Sequence, residues 1–282
     1  MKPLDAHCHV WRLARGDYDW LTAGGAALSP IRRDFSVEEY PEATDLILVQ
    51  AVPTRAETDF LLDIAAGDPR VVGVVGWVDL EHPDCAAEIE TLARHPKFKG
   101  VRPMLQDIEA TDWLIDHARP DAMASLVRNR LSFDALVTER HLPMLCDFAS
   151  ENRDLPLVVD HAAKPKPGPH PVWEEGMAAL ARLPHVHCKL SGLLTELTDP
   201  DRRDPLPALR SIFDQLLDWF GPERLIWGSD WPVLTLAASW HEWRNLTDLL
   251  LSGLSRSERT AIMRHNGARF YAVADQPIAT SN

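Results

Sequence analysis

A β-rich segment near the start of the chain ends in Asp5-Ala6-His7-Cys8-His9. In an extended strand alternate side chains share a face, so Asp5, His7 and His9 fall on one side and Cys8 on the other. At about 3.3 Å per residue the two imidazoles lie roughly 7 Å apart along the backbone. They can converge on one divalent ion, at about 2.1 Å from each nitrogen. The same spacing also suits two half-buried histidines that only pack. The choice between these readings turns on what other strands bring to the same place.

Further groups of the required kind recur after apolar runs. Lys99-Gly100-Val101-Arg102-Pro103 offers Arg102. Leu157-Val158-Val159 leads into Asp160-His161, with Lys164 close behind. Cys188-Lys189-Leu190-Ser191-Gly192 carries Lys189 and Ser191, and Leu225-Ile226-Trp227-Gly228-Ser229 ends in Asp230. Each has a plain alternative. Arg102 suits a rim ion pair, Asp160 suits bracing the proline-containing loop that follows, and Lys189 suits either a structural salt bridge or a substrate contact. An unpaired carboxylate after a buried run is expensive, so Asp230 calls for a cationic partner and reads as functional.

These groups belong to a repeating frame. Eight β-rich segments are expected at residues 3–11, 45–52, 71–80, 98–105, 131–137, 155–161, 185–191 and 224–230. Several are nearly continuous apolar runs, as parallel strands buried on both faces require. Helical patterns lie between them, at 57–66, 85–94, 112–128, 142–151, 173–182, 204–220 and 239–251. The clearest is 204–220: Asp204 suits the N-cap, Pro205 the first turn, one apolar face follows, and Gly221-Pro222 ends it. Ser255-Arg256-Ser257-Glu258 is a capping box that opens the last helix. Eightfold alternation without a change of composition predicts a single (β/α)8 TIM barrel over residues 1–274, with 275–282 a disordered tail. In such a barrel the polar residues at C-terminal strand ends meet at one mouth. Two long irregular pieces, 12–34 and 163–171, also fall on that rim.

Composition removes other classes of function. The 282 residues are 45% hydrophobic and 25% charged, and the formal net charge is −13. That balance repels nucleic acid and anionic membranes, and no apolar run approaches the roughly 18 residues of a span. Four scattered cysteines without a C-x-x-C pair read as reduced thiols of a cytoplasmic protein. Ten tryptophans are many for this length. Trp219 and Trp227 read as core. Trp11, Trp77 and Trp231 fall at or near C-terminal strand ends, where indole rings pack on the apolar faces of sugars.

Taken in order, Asp5-Ala6-His7-Cys8-His9-Val10-Trp11, Gly100-Val101-Arg102, Gln106-Asp107, Asp160-His161 with Lys164-Pro165, Lys189-Leu190-Ser191-Gly192, Gly228-Ser229-Asp230-Trp231-Pro232 and Asn266-Gly267-Ala268-Arg269-Phe270-Tyr271 resemble the amidohydrolase superfamily, and within it the sugar-acid lactonases. The resemblance covers nearly the whole chain. It implies that His7, His9, His161 and Asp230 hold the positions of metal ligands, with Asp230 also the catalytic carboxylate. Binuclear relatives bridge two metals with a modified lysine on the fourth strand. Here Arg102 faces the mouth and Lys99 lies about 10 Å further back, so at most one zinc-like divalent cation is expected. A histidine cluster can also polarise a carbonyl unaided, which leaves the need for metal open.

The implied reaction is the opening of a sugar-acid lactone, L-fucono-1,5-lactone or a related aldonolactone, to the free acid. Ester hydrolysis needs a base for water, positive charge at the carbonyl oxygen and a proton for the leaving oxygen. Asp230, His161 and Arg102 are the expected catalytic residues. Trp11, Trp77, Lys164, Lys189 and Trp231 are the expected substrate contacts. No G-x-S-x-G elbow exists, so no covalent serine is required. The rival reactions are a lactonase or metal-dependent decarboxylase acting on an aromatic-degradation intermediate, and the rival class is a barrel that binds a sugar acid without turnover. The expected partner is a small lactone, with the chain a monomer or homodimer.

Overall fold

In the computed structural model, which describes residues 2–166 and 168–273, eight parallel strands pair in sequence order. They are β1 (Leu4–Cys8), β2 (Asp45–Val49), β3 (Val71–Gly76), β4 (Phe98–Val101), β5 (Ser132–Ala135), β6 (Leu157–Val159), β7 (Val186–Leu190) and β8 (Leu225–Trp227). The ring closes where the His9 N–H donates to the Trp231 carbonyl (2.7 Å) and the Asp230 N–H to the His7 carbonyl (2.8 Å). The architecture is therefore the expected (β/α)8 barrel. Each strand is shorter than its apolar segment, because the flanking residues become rim turns. The expected tail at 275–282 lies outside the described residues.

Helices form where periodicity placed them. Pro205–Phe220 buries Leu209, Ile212, Phe213, Leu216 and Phe220 on one face and stops at Gly221, whose φ is 66°. Ser239 caps Trp240–Leu250 and Ser255 caps Arg256–Thr260, each through a capping box. The helix expected across 112–128 is instead two pieces, Trp113–Asp116 and Pro120–Arg128. Pro120 accounts for the break, since it lacks an N–H and is tolerated only in a first turn.

Alternation along the strands sorts the interior. Cys188 and Leu190 of β7, and Phe133 and Ala135 of β5, belong to the large core between barrel and helices. A second, smaller core fills the lower barrel with Leu4, Ala6, Ile47, Val49, Val75, Val158 and Ile226, closed off by Ala268 and Tyr271. Above it the interior turns polar. Lys99 belongs to the far end, its Nζ donating to the Ala272 carbonyl (3.2 Å). All four cysteines are free thiols. Among the described residues no helix is long and apolar enough to cross a membrane.

The rim after β2 is held from below by a buried acid. Thr54 caps the helix Arg55–Gly67, and Glu57 in its first turn accepts the N–H groups of Ala51 (2.9 Å) and Val52 (2.7 Å). Burial pushes the Glu57 carboxyl up to about 7, against the two amides that favour its ionised form. Below about pH 4.5 the group is protonated both folded and unfolded. Between about 4.5 and 7 only the unfolded chain releases the proton, so folding stability falls as pH rises through this window. Glu57→Gln keeps an acceptor without the charge. Denaturant unfolding should find it about 2–3 kcal/mol more stable than wild type at pH 8, with the gap closing toward pH 4.5. Equal gaps at the two pH values would refute the assignment.

Candidate active site

Three backbone devices carry the site. The first is a bulge in β1. Asp5 pairs with Leu46 and Cys8 with Leu48, so three steps of β1 face two of β2. Ala6 and His7 both turn inward as a result. The expectation that Asp5 shares the face of His7 and His9 is thus corrected. Asp5 instead accepts the N–H groups of Ser229 (2.8 Å) and His7 (3.1 Å) and the hydroxyls of Tyr40 and Ser229, stitching β1 to the rim after β8. Cys8 faces the helices, as expected from its parity.

The second device is a left-handed turn. His161, Ala162, Ala163 and Lys164 have φ of 52°, 49°, 58° and 56°. Left-handed backbone costs an ordinary residue roughly 1–2 kcal/mol. The turn is held by Lys164 N–H to the His161 carbonyl (2.8 Å) and by the Trp173 indole N–H to the Ala162 carbonyl (2.7 Å). Strain of this kind gathers at functional sites. Asp230 shares it, at φ 61°. The third device is clearance. A β-carbon on Gly192 would lie 2.5 Å from His161 Nδ1, and one on Gly228 2.7 Å from His7 Cβ.

These devices gather three imidazoles around one carboxylate. Asp230 Oδ1 lies 3.2 Å from His9 Nε2, 3.8 Å from His7 Nε2 and 4.0 Å from His161 Nε2. Burial alone would raise the pKa of Asp230. His161, the His9 contact and the His7 ring outweigh it and hold the carboxyl well below the usual carboxylate range. Burial lowers His161 to about 4, against the pull of Asp230 and Asp160. Burial, and then Lys189, keep His7 far below its ordinary value. His161 Nδ1 shares a hydrogen bond with Ser191 Oγ (2.9 Å).

Beneath them lies a buried ionic network. Lys189 Nζ reaches Asp134 Oδ2 (2.6 Å), Asp160 Oδ1 (3.0 Å) and His7 Nδ1 (3.0 Å). The Tyr271 hydroxyl donates to Asp134 from below (2.6 Å), and Ser132 Oγ donates to it as well (2.9 Å). Arg102 Nη1 is 3.4 Å from Asp160 Oδ2 and 3.4 Å from His7 Nε2, and Nη2 donates to the Gln50 carbonyl. Asp160 is held low: burial opposes its ionisation, but Lys189, His7 and Arg102 win. Asp134 moves up, by burial foremost.

The open pocket above has a volume of about 210 Å³. His9, Arg102, His161, Lys164 and Asp230 line it, as do Gln106, Asp107 and Trp20. Four expected substrate contacts fall elsewhere. Lys189 is fully buried in the network and does not reach the pocket. Trp11 is core: its indole N–H donates to the Arg33 carbonyl and its ring packs edge-on against Phe35, anchoring the long rim loop. Trp231 is core between Phe35 and Tyr40. Trp77 lines an adjoining chamber instead. Trp227 is buried as expected, while Trp219 is half-buried against Trp173. Trp20 was not anticipated; it stands in the rim loop flagged as long, where nothing singles out one aromatic from its neighbours.

The donors fit a cation. His9 Nδ1 lies 2.7 Å from the Val49 carbonyl, which can only accept, so Nδ1 carries the proton. In a neutral ring Nε2 then turns a lone pair toward the carboxylate oxygen 3.2 Å away. Two acceptors at that distance need a proton or a metal ion between them. One ligand atom each from His7, His9 and Asp230 lie within 4.8 Å of one another, and a second such group joins His7, Asp160 and His161. The first is the better donor set, because Asp160 is already engaged by Lys189 and Arg102.

Comparison with known proteins agrees with this geometry. The sequence pattern of the amidohydrolase family (Amidohydro_2) matches residues 4–273. An L-fucono-1,5-lactonase of Burkholderia ambifaria is 41% identical over 290 residues, covering 97% of this chain and 96% of that protein. A second L-fucono-1,5-lactonase, of Burkholderia multivorans, is 37% identical, covering 96% of each. The crystal structure of an amidohydrolase from Burkholderia multivorans with bound zinc superposes with a TM-score of 0.86 at 36% identity, covering 97% of this chain and all of that one.

Two predictions follow from the site's geometry. Gly192→Ala should push the His161 ring aside and lower kcat/KM at least 100-fold, with the fold kept by circular dichroism; near-normal activity would contradict the clearance argument. Zinc titration followed by calorimetry should find one ion per chain, and His9→Ala should weaken it at least tenfold. Unchanged affinity in that variant would rule out His9 as a ligand.

Proposed function

The chain belongs to the amidohydrolase family, and we propose that within it the enzyme hydrolyses a sugar-acid lactone, L-fucono-1,5-lactone or a related aldonolactone, to the free acid. It is a carboxylic ester hydrolase. The observation that carries this is an ionised carboxylate, Asp230, ringed by three imidazoles on the floor of a small pocket. That arrangement suits water attack on an ester better than it suits tight binding alone.

Asp230 takes a proton from the attacking water and returns it to the ring oxygen as the ester C–O bond breaks. Its depressed pKa keeps it ionised at neutral pH but makes it a modest base, which is enough for a ring ester that is already activated. His161 and His9 orient the water and the carbonyl carbon along the Asp230 carboxylate. Arg102 lines the pocket and faces the carbonyl or a ring hydroxyl, and a guanidinium binds two acceptors at once. Lys164 lines the same pocket, 3.9 Å from Glu196, and offsets the charge of the product carboxylate. A divalent ion held by His7, His9 and Asp230 would supply further positive charge for polarising the carbonyl. The expected lactone contacts are therefore Arg102 and Lys164 rather than Lys189, Trp11 or Trp231.

A pH-indicator screen over L- and D-sugar lactones, with and without chelator, tests reaction and substrate together. Acid release should peak with an aldonolactone. Release of carbon dioxide from an aromatic acid would replace this reading with the decarboxylase alternative. Asp230→Asn should lower kcat at least 100-fold while leaving thermal unfolding cooperative, and retention of more than about a tenth of activity would exclude the base role.

A further inference from the structure

A larger chamber of about 740 Å³ opens beside the catalytic pocket and shares Trp20, Ala51, Met104 and Asp107 with it. Because the two adjoin through these residues, a substituent on a lactone seated over Asp230 has this chamber to extend into. We propose that this chamber is a subsite for a neutral glycosyl unit attached to the lactone, making glycosyl-substituted aldonolactones the preferred substrates; this rests on the lactonase reading above.

The lining selects the occupant. Trp20, Trp77 and Trp113 contribute indoles, the usual platform for the apolar face of a sugar. Asp17, Asp79 and Asp107 contribute carboxylates, which accept hydroxyl protons. Among the described residues the lining holds no Lys or Arg, so an anionic substituent would meet only like charge. An apolar substituent is disfavoured for a different reason. Asp79 is half-buried and Asp107 exposed at the chamber wall. Hydrocarbon laid over them would displace their water and return no donor, whereas a sugar hydroxyl donates to either. Asp17 is fixed by Arg15 (2.5 Å) and Thr54 (3.2 Å) before any ligand arrives.

The test compares kcat/KM for the best plain aldonolactone with three derivatives of it, carrying a glycosidically linked glucose, a cyclohexyl ether or a carboxymethyl ether. The glucosyl derivative should exceed the plain lactone at least tenfold, mainly through KM, and the carboxymethyl one should be the poorest. Trp113→Ala removes one wall and Ile108→Trp fills the chamber; both should bring the glucosyl-to-plain ratio close to one. A wild-type ratio of one or below, or preference for either other derivative, overturns the subsite while leaving the lactonase reading intact. No turnover of any lactone overturns both.

Discussion

Everything at the mouth of this barrel depends on a lysine that never sees water. Lys189 sits inside the ring of strands with Asp134, Asp160 and His7 on its ammonium group. Burying a charge is costly, and breaking one partner of a buried pair typically loses about 3–5 kcal/mol because the other is stranded. The network is therefore nearly all-or-none. Its members come from β1, β5, β6 and β7, with Arg102 from the end of β4 and Tyr271 closing it below. An apolar plug often stabilises a fold at least as well as a buried ionic network. A charged one fixes where His7 and Asp160 stand, which apolar packing cannot do with the same directional precision.

The charge balance of the network leads directly to the chemistry. Lys189 and Arg102 stand on Asp134 and Asp160, while Asp230 faces only imidazoles. The histidines are held neutral by burial at His7 and His161. Among the described residues no lysine or arginine pairs with Asp230, which is held ionised and lines the pocket. Such a negative charge in a dry site attracts a cation or a proton. The same charge lets the site draw a proton from a water that is attacking an ester.

Much of this was legible in the sequence, for identifiable reasons. The strands and their order follow from apolar runs that only a two-sided burial explains, and the strand-end histidines, Arg102 and Asp230 follow from where those runs turn ionisable. What escaped is backbone irregularity. Strict alternation cannot foresee the β1 bulge, so Asp5 was assigned the wrong face. Nor can it foresee four left-handed residues after β6, since none of them is glycine. Lys189 was legible as inward-facing but not as sealed, because depth in a barrel depends on how far the strand runs before the rim. Trp11 and Trp231 stand near the mouth in sequence, yet Phe35 and Tyr40 from the rim segment fold over them. Trp20 reaches the pocket by the same excursion of chain.

His9 creates a demand for positive charge at the floor of the pocket. Its Nδ1 proton is committed to the Val49 carbonyl, so its Nε2 meets Asp230 as one acceptor meeting another. The fold imposes that confrontation whether or not an ion is present, because both atoms are set by backbone: Val49 ends β2, and Asp230 is tied to β1 through the His7 carbonyl. Some positive species must stand between them. A divalent ion satisfies the demand, and so does a proton shared between the two. Either one places positive charge beside the ionised carboxylate at the floor of the pocket. What the backbone fixes is the electrostatic demand, and the identity of the cation that answers it is secondary to the geometry that creates it.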